Sequence, residues 1–210
     1  MATQADPSPA SPLRRVPVQD RSLARVNRML DACAALLDEV GYEALTTTLV
    51  ADRAGVAIGS LYQFFPDKRA IVQALATRNL AAYLTRLQAR LGSGAITDWP
   101  QAVEAVVDEF IDMHRTTPGF RTLRFGDVVD RHLLDEDRDN DTVLAEELGL
   151  LMTRYFGMPD SPELRLALLI AVELGDALVK LAFRRDPQGD PGILAEARRV
   201  VSGYLAHKLA

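Results

Sequence analysis

Hydrophobic positions recur with the period of an α-helix from Arg21 onward. Val26, Met29, Leu30, Cys33, Leu36, Leu37 and Val40 fall at i, i+3, i+4, i+7, i+10, i+11 and i+14, which gathers them on one helical face. Gly41 then stops that helix. The same period returns in Ile71 to Leu91, in Val103, Val106, Val107, Phe110 and Met113, in Leu144 to Phe156, in Leu164 to Phe183 and in Ile193 to Leu205. No segment reads as a strand. Asp67, Asp98, Asp141, Ser161 followed by Pro162, and Asp190 followed by Pro191 stand where N-caps belong, with proline in the first turn twice. Gly92, Pro118-Gly119, Gly157 and Pro187 close most of these segments. The pattern predicts an all-α chain of about nine helices without an internal repeat.

Ahead of this pattern, residues 1–18 carry Pro7, Pro9, Pro12 and Pro17 among small polar residues and offer no periodic apolar face to fold around. They read as a flexible arm. Its Arg14 and Arg15 suit either a solvated tail or a basic arm in a DNA minor groove. The remainder, 48% hydrophobic and 25% charged over the whole chain, has the profile of a soluble globular protein. The stretch from Leu164 to Val179 is broken by Arg165, Glu173 and Asp176 and is too short for a bilayer, so no membrane partner is expected. With one cysteine, Cys33, and no charged-then-apolar leader, the expected setting is a reducing cytoplasm.

The net charge of −5 conceals an asymmetry. Residues 1–91 hold 11 Lys+Arg against 8 Asp+Glu, whereas residues 92–210 hold 13 against 21. The basic end is the candidate for contact with an anionic backbone. It also contains the most informative segment, from Leu45 to Lys68, in which two short helices meet at Gly55. Thr46 or Thr47 caps the first, and Val50 and Ala54 form its inner face. Gly55 supplies the positive φ of a tight turn, and Val56 plugs the angle between the helices. Leu61 and Phe65, spaced i and i+4, anchor the second helix on the core. Ile58, Gly59, Ser60, Tyr62, Gln63 and Phe64 are left on its outward face. A glycine bend also serves plain helical hairpins. Here it is joined by a preceding helix of suitable length, by the small Ala51, and by exposed hydroxyl, amide and ammonium groups that a hairpin does not need.

This segment resembles the TetR (tetracycline repressor-like) family of transcriptional regulators. Gly41-Tyr42, Thr46-Thr47, Val50-Ala51, Ala54-Gly55-Val56, Gly59, Ser60, Leu61-Tyr62, Phe65 and Lys68 match the family's pattern without a gap, over roughly residues 22–82. The resemblance implies an arm over 1–20, a helix-turn-helix module over 21–82 that includes the start of a connecting helix, and a ligand-binding and dimerisation domain over 83–210. It further implies that Thr46 and Thr47 hold phosphate, that Thr48, Ile58, Gly59, Ser60 and Gln63 face base edges, and that Tyr62 meets phosphate or a thymine methyl. Lys68 would bind phosphate at the start of the long helix. Ala57 and Phe64 depart from the family's frequent Ser and Tyr, and each removes a hydroxyl contact.

Residues 92–210 show no Gly-rich phosphate loop, no nucleophile elbow and no metal spacing among His114, His132 and His207. Neither an enzyme nor a cofactor is expected. Asp137, Asp139 and Asp141 alternate like the start of a calcium loop, but Thr142 and Leu148 occupy the positions that need glycine and glutamate, so a solvated acidic loop is expected instead. Phe110, Met113 and His114 share one apolar face, with Phe120, Leu123 and Phe125 beyond. Phe110, Met113, His114, Phe120 and Phe125 are the candidate ligand contacts, against the plainer reading that they are core. Glu173 and Asp176 either pair with Lys180 or face a cationic ligand. Ala167, Ala171 and Gly175 form a small-residue stripe, and Ala197, Val201 and Tyr204 belong to an apolar stripe on the last helix. Spacing serves packing within the chain and between chains equally, and the resemblance favours a four-helix homodimer interface. The expected partners are an operator duplex, a second copy of the chain and an apolar or amphipathic effector. A dimeric ligand-binding protein without operator recognition is the alternative.

Overall fold

The computed structural model describes residues 20–122 and 140–209. Arg14, Arg15, Leu123, Phe125, His132, Asp137 and Asp139 lie outside the described residues. Among the described residues the fold is eight helices and no strand: α1 (Asp20–Ala44), α2 (Thr47–Ala54), α3 (Ile58–Tyr62), α4 (Lys68–Gly92), α5 (Trp99–Thr116), α6 (Asn140–Phe156), α7 (Pro162–Arg185) and α8 (Pro191–Leu209). The all-α expectation holds. The chain divides into two compact units, and the division falls within α4 between Leu75 and Ala76.

In the first unit, α1 is broken at Gly41, whose φ of 75° and ψ of 173° are not helical. Thr46 caps α2, its hydroxyl accepting from the amide of Leu49 at 3.2 Å. Gly55 ends α2 in the left-handed region at φ 63°, ψ 42°. The next amide, that of Val56, donates back to the Ala51 carbonyl at 3.0 Å, so the turn satisfies carbonyls that the helix end would leave bare. The core of this unit contains Met29, Cys33, Val50, Leu61, Phe65, Ile71 and Leu75, all fully buried. Cys33, the chain's one cysteine, is buried there and in no disulfide.

In the second unit the caps again do what their residue types allow. Asp98 accepts from the Gln101 amide at 2.9 Å, Ser161 from the Leu164 amide at 3.1 Å and Asp190 from the Ile193 amide at 3.0 Å. Tyr83, Leu87, Ala102, Ile111, Val179, Ala182 and Ala197 lie in its core. Asp108 of α5 accepts from Arg198 of α8 at 2.9 Å and lies 3.6 Å from Arg90 of α4, so one carboxylate ties three helices together. The turn between α7 and α8 places Gly189 at φ 84°, with the Asp190 amide donating to the Ala182 carbonyl at 3.2 Å. No helix among the described residues is long and apolar enough to cross a membrane. Nor do three His, Cys, Asp or Glu side chains gather among those residues as a metal requires.

Gly55 and Gly189 separate two costs of adding a methyl group. A Cβ at Gly55 meets nothing within 4 Å, so Gly55→Ala should cost only the left-handed backbone term of about 1–2 kcal/mol. At Gly189 a Cβ would sit 2.8 Å from Leu194 Cδ1 and 3.1 Å from Phe183 Cζ, and the clash adds to the same backbone term. Urea denaturation should therefore rank Gly189→Ala as the more destabilising substitution, and equal losses would rule the clash out.

Candidate functional site

The first unit presents a polar rim on an apolar frame. Leu61 and Phe65 are fully buried, while Ile58 and Tyr62 are 40% and 43% exposed. Thr46, Thr48, Gly59 and Gln63 are exposed as well, and Thr47, Ser60 and Lys68 are half-buried. Hydrogen bonds stitch this rim across elements: Thr47 Oγ1 and Tyr62 Oη share one at 3.0 Å, and Arg25 of α1 donates to Ser60 Oγ at 3.3 Å. An exposed isoleucine beside hydroxyls, an amide and a guanidinium is the chemistry that reads a major groove: a methyl for thymine, donors for phosphate, and an amide for a base edge.

Lys68 is already engaged within the chain. Its ammonium donates to the carbonyls of Tyr42 at 3.1 Å and Glu43 at 3.5 Å and lies 4.4 Å over the Tyr42 ring. The last turn of α1 holds no basic residue of its own, so Lys68 supplies the cation that a helix C-terminus favours.

The second unit contains a cavity of about 620 Å³, its mouth included. Val103, Val107, Phe110, Leu144, Leu148 and Met152 make much of its apolar wall. Its polar lining is Tyr83 and Asp176. Tyr83 Oη donates to the Val106 carbonyl at 2.9 Å, and burial, followed by the nearby Glu109 carboxylate, pushes the phenol far above its ordinary range. Asp176 is ion-paired with Lys180 one turn along α7, both side chains being largely buried. That pairing is one of the two readings the sequence left open.

The deciding comparison covers most of the chain. Residues 29–75 match the model of the tetR family of bacterial regulatory proteins, and residues 97–209 match that of the tetracyclin repressor-like C-terminal domain. The chain belongs to the TetR family. A member of that family from Streptomyces coelicolor, a transcriptional regulator of known crystal structure, is 44% identical with a TM-score of 0.77, covering 87% of this chain and 98% of its own. The HTH-type transcriptional repressor KstR of Rhodococcus jostii is 51% identical over 53 residues; the match spans 25% of this chain and 25% of the relative's length. The transcriptional regulator FadR of Bacillus subtilis, solved in complex with stearoyl-CoA, shares the fold at 17% identity and a TM-score of 0.64, covering 86% of this chain and 97% of its own.

Three groups of sequence-derived TetR site residues need correction. Phe64 is buried, 5% exposed, instead of facing outward. Helix α3 ends at Tyr62, and the Phe64 amide turns back to the Leu61 carbonyl at 3.0 Å, so the outward helical face does not extend that far. Of the pocket candidates, Phe110 lines the cavity, whereas Met113, His114 and Phe120 are buried outside its lining. His114 Nδ1 lies 2.8 Å from the Phe110 carbonyl, its ring stacks on Phe183 at 5.0 Å, and the edges of Phe110 and Phe120 complete an aromatic cluster. Finally, Ala167, Ala171, Ala197 and Val201 are buried within their own chain. A Cβ at Gly175 would lie 3.6 Å from Val201 Cγ2, so the small residues bring α7 and α8 of one chain together; Tyr204 is half-buried. The large apolar residues that α7 leaves exposed are Leu166, at 59%, and Ile170, at 37%. Sequence reasoning also missed Arg25, which counted toward the basic half of the chain but carried no motif.

The Lys68 contacts generate a prediction about the DNA-free protein. Lys68→Met keeps most of the stem but loses the charged donor, and should destabilise the first unit by about 1–2 kcal/mol in urea. No change in stability would mean that the ammonium contributes nothing to joining α1 and α4.

Proposed function

We propose that the chain is a ligand-responsive DNA-binding regulator: a repressor that reads a palindromic operator as a homodimer and is released by a small molecule. The observation that carries this reading is the exposed rim of Thr46, Thr48, Ile58, Gly59, Tyr62 and Gln63 over the buried Leu61 and Phe65. The segment 51% identical to a transcriptional repressor supports the direction of control. In this reading Thr46, Thr47, Tyr62 and Arg25 meet phosphate, and Thr48, Ile58, Gly59, Ser60 and Gln63 face bases. Lys68 meets phosphate with whatever reach its bonds to α1 leave it. Phe64 supports from below. The effector occupies the cavity against Phe110, and a protein of the same fold solved with stearoyl-CoA supports a place for an apolar chain. A dimer without operator recognition drew on the hydroxyls absent at Ala57 and Phe64, and burial of Phe64 takes one of those out of consideration.

Selection of duplexes from a random pool by the purified protein tests the reading. Enrichment of a palindrome with half-sites about 10 base pairs apart, or a small multiple, is expected; a pool that stays random overturns operator recognition. On the selected operator Gln63→Ala should cost about 1–3 kcal/mol and relax one base pair per half-site, with little loss on random duplexes. Equal losses on both would place Gln63 off the bases.

The homodimer is assigned to the outer faces of α7 and α8, where Leu166, Ile170 and Ala177 on one helix and Gly203 and Ala206 on the other are exposed. Sedimentation at micromolar protein should show a dimer that Ile170→Arg converts to folded monomer. Ala171→Arg, by contrast, forces a charge into the chain's own core and should unfold the second unit. A wild type that sediments as a monomer removes both the dimer and the palindrome.

A further inference from the structure

We infer that Thr47 and Tyr62 act on one and the same DNA phosphate as a single relay: the threonine hydroxyl gives its hydrogen to the phenol, the phenol gives its own to the phosphate, and the Thr47 side chain reaches the duplex only through Tyr62. The inference deepens the operator reading above and rests on it, refining two separate phosphate contacts into one. Thr47 begins α2 and Tyr62 ends α3, and their side-chain oxygens share a hydrogen bond at 3.0 Å. A hydroxyl carries one hydrogen and two lone pairs. Two hydroxyls joined by a hydrogen bond therefore hold two hydrogens, one of which is spent between them. A phosphate oxygen only accepts, so the pair has one hydrogen left for it and makes one contact, not two.

Exposure and chemistry decide which oxygen gives that hydrogen. Tyr62 is 43% exposed, whereas Thr47 is half-buried at the start of α2. A phenol is also the stronger hydrogen-bond donor of the two, because its ring spreads the charge left on oxygen. Accepting from Thr47 polarises the phenol and strengthens what it gives in turn. The same bond holds the phenol's end to α2, so that its oxygen is in place before DNA arrives. The neighbouring Thr46 works differently. Its hydroxyl accepts from the Leu49 amide at 3.2 Å, which leaves its own hydrogen to meet a phosphate directly. Of two adjacent threonines, one makes a contact and the other positions one.

The test is a set of binding isotherms for the full chain on the operator selected from random duplexes, in copies that each carry one neutral methylphosphonate in place of a backbone phosphate. On unmodified operator and on random duplexes alike, Tyr62→Phe should weaken binding about tenfold or more, as the loss of a hydrogen bond to a charged group does. Because no cationic side chain is removed, the salt slope should stay as it was. Thr47→Val should weaken binding less, about threefold, since the phenol remains but is no longer polarised or held. Thr47→Ser, which keeps the hydroxyl, should bind as the wild type does. The double variant Thr47→Val, Tyr62→Phe should bind as Tyr62→Phe does, because the threonine's partner is already gone. The methylphosphonate copies give a readout that a loss of stability does not mimic. One phosphate per half-site whose neutralisation weakens the wild type should stop mattering in Tyr62→Phe and matter less in Thr47→Val. Losses that multiply in the double variant, different phosphates answering to the two substitutions, or undiminished affinity in Thr47→Val would overturn the relay and leave operator recognition standing. A wild type that binds no duplex would overturn operator recognition and the relay with it.

Discussion

A helix of five residues closes too few backbone hydrogen bonds to persist in water by itself. Helix α3, Ile58–Tyr62, is such a helix, and its N-cap Ala57 contributes no side-chain hydrogen bond. What holds it is burial: Leu61 from its inner face and Phe65 from the turn beyond, both fully enclosed by the first unit. The left-handed Gly55 sets the angle at which it leaves α2, and the Arg25–Ser60 and Thr47–Tyr62 hydrogen bonds fasten its outer face to α1 and α2. Every exposed group on the rim inherits its position from that apolar anchorage. The polar rim adds to that anchorage through the Thr46 cap and these two hydrogen bonds, while the buried Leu61 and Phe65 keep the helix on the core.

Local interactions were the part of the fold most legible in the sequence. Asp67, Asp98, Ser161 and Asp190 cap helices as their residue types and positions indicate, because a cap involves only the three or four residues that follow it. The pairing of Leu61 with Phe65 was equally readable, since both lie within one turn. Phe64 was misplaced because a helical face was extended two residues past the helix. A residue's side is defined by the local φ and ψ, which the apolar pattern does not record. The stripes on α7 and α8 misled for a different reason. Small residues show that two helices approach closely, but spacing carries no information on whether the second helix belongs to the same chain. Met113 and His114 are buried outside the lining of the cavity that Phe110 helps to form, because a core cluster and a cavity wall draw on the same residue types and only the three-dimensional gap distinguishes them.

In the second unit the charged residues divide between surface and interior. Asp108 joins Arg198 to Arg90 at half-exposed positions, where the pair is screened and chiefly orients α4, α5 and α8. Asp176 and Lys180 are enclosed, and removing either would leave its partner's charge in an apolar setting. An apolar filler would pack α7 more cheaply than this pair does.

The burial of Cys33 has a practical consequence. It is the chain's one thiol, it is fully enclosed, and it lies in the unit that bears the rim, not in the unit that bears the cavity. A thiol reagent can reach it only when that unit opens, so the labelling rate clocks the opening of the reading head against a silent background. The molecule thus comes with a stopwatch in one of its halves, able to time that half's opening under any condition imposed on the whole.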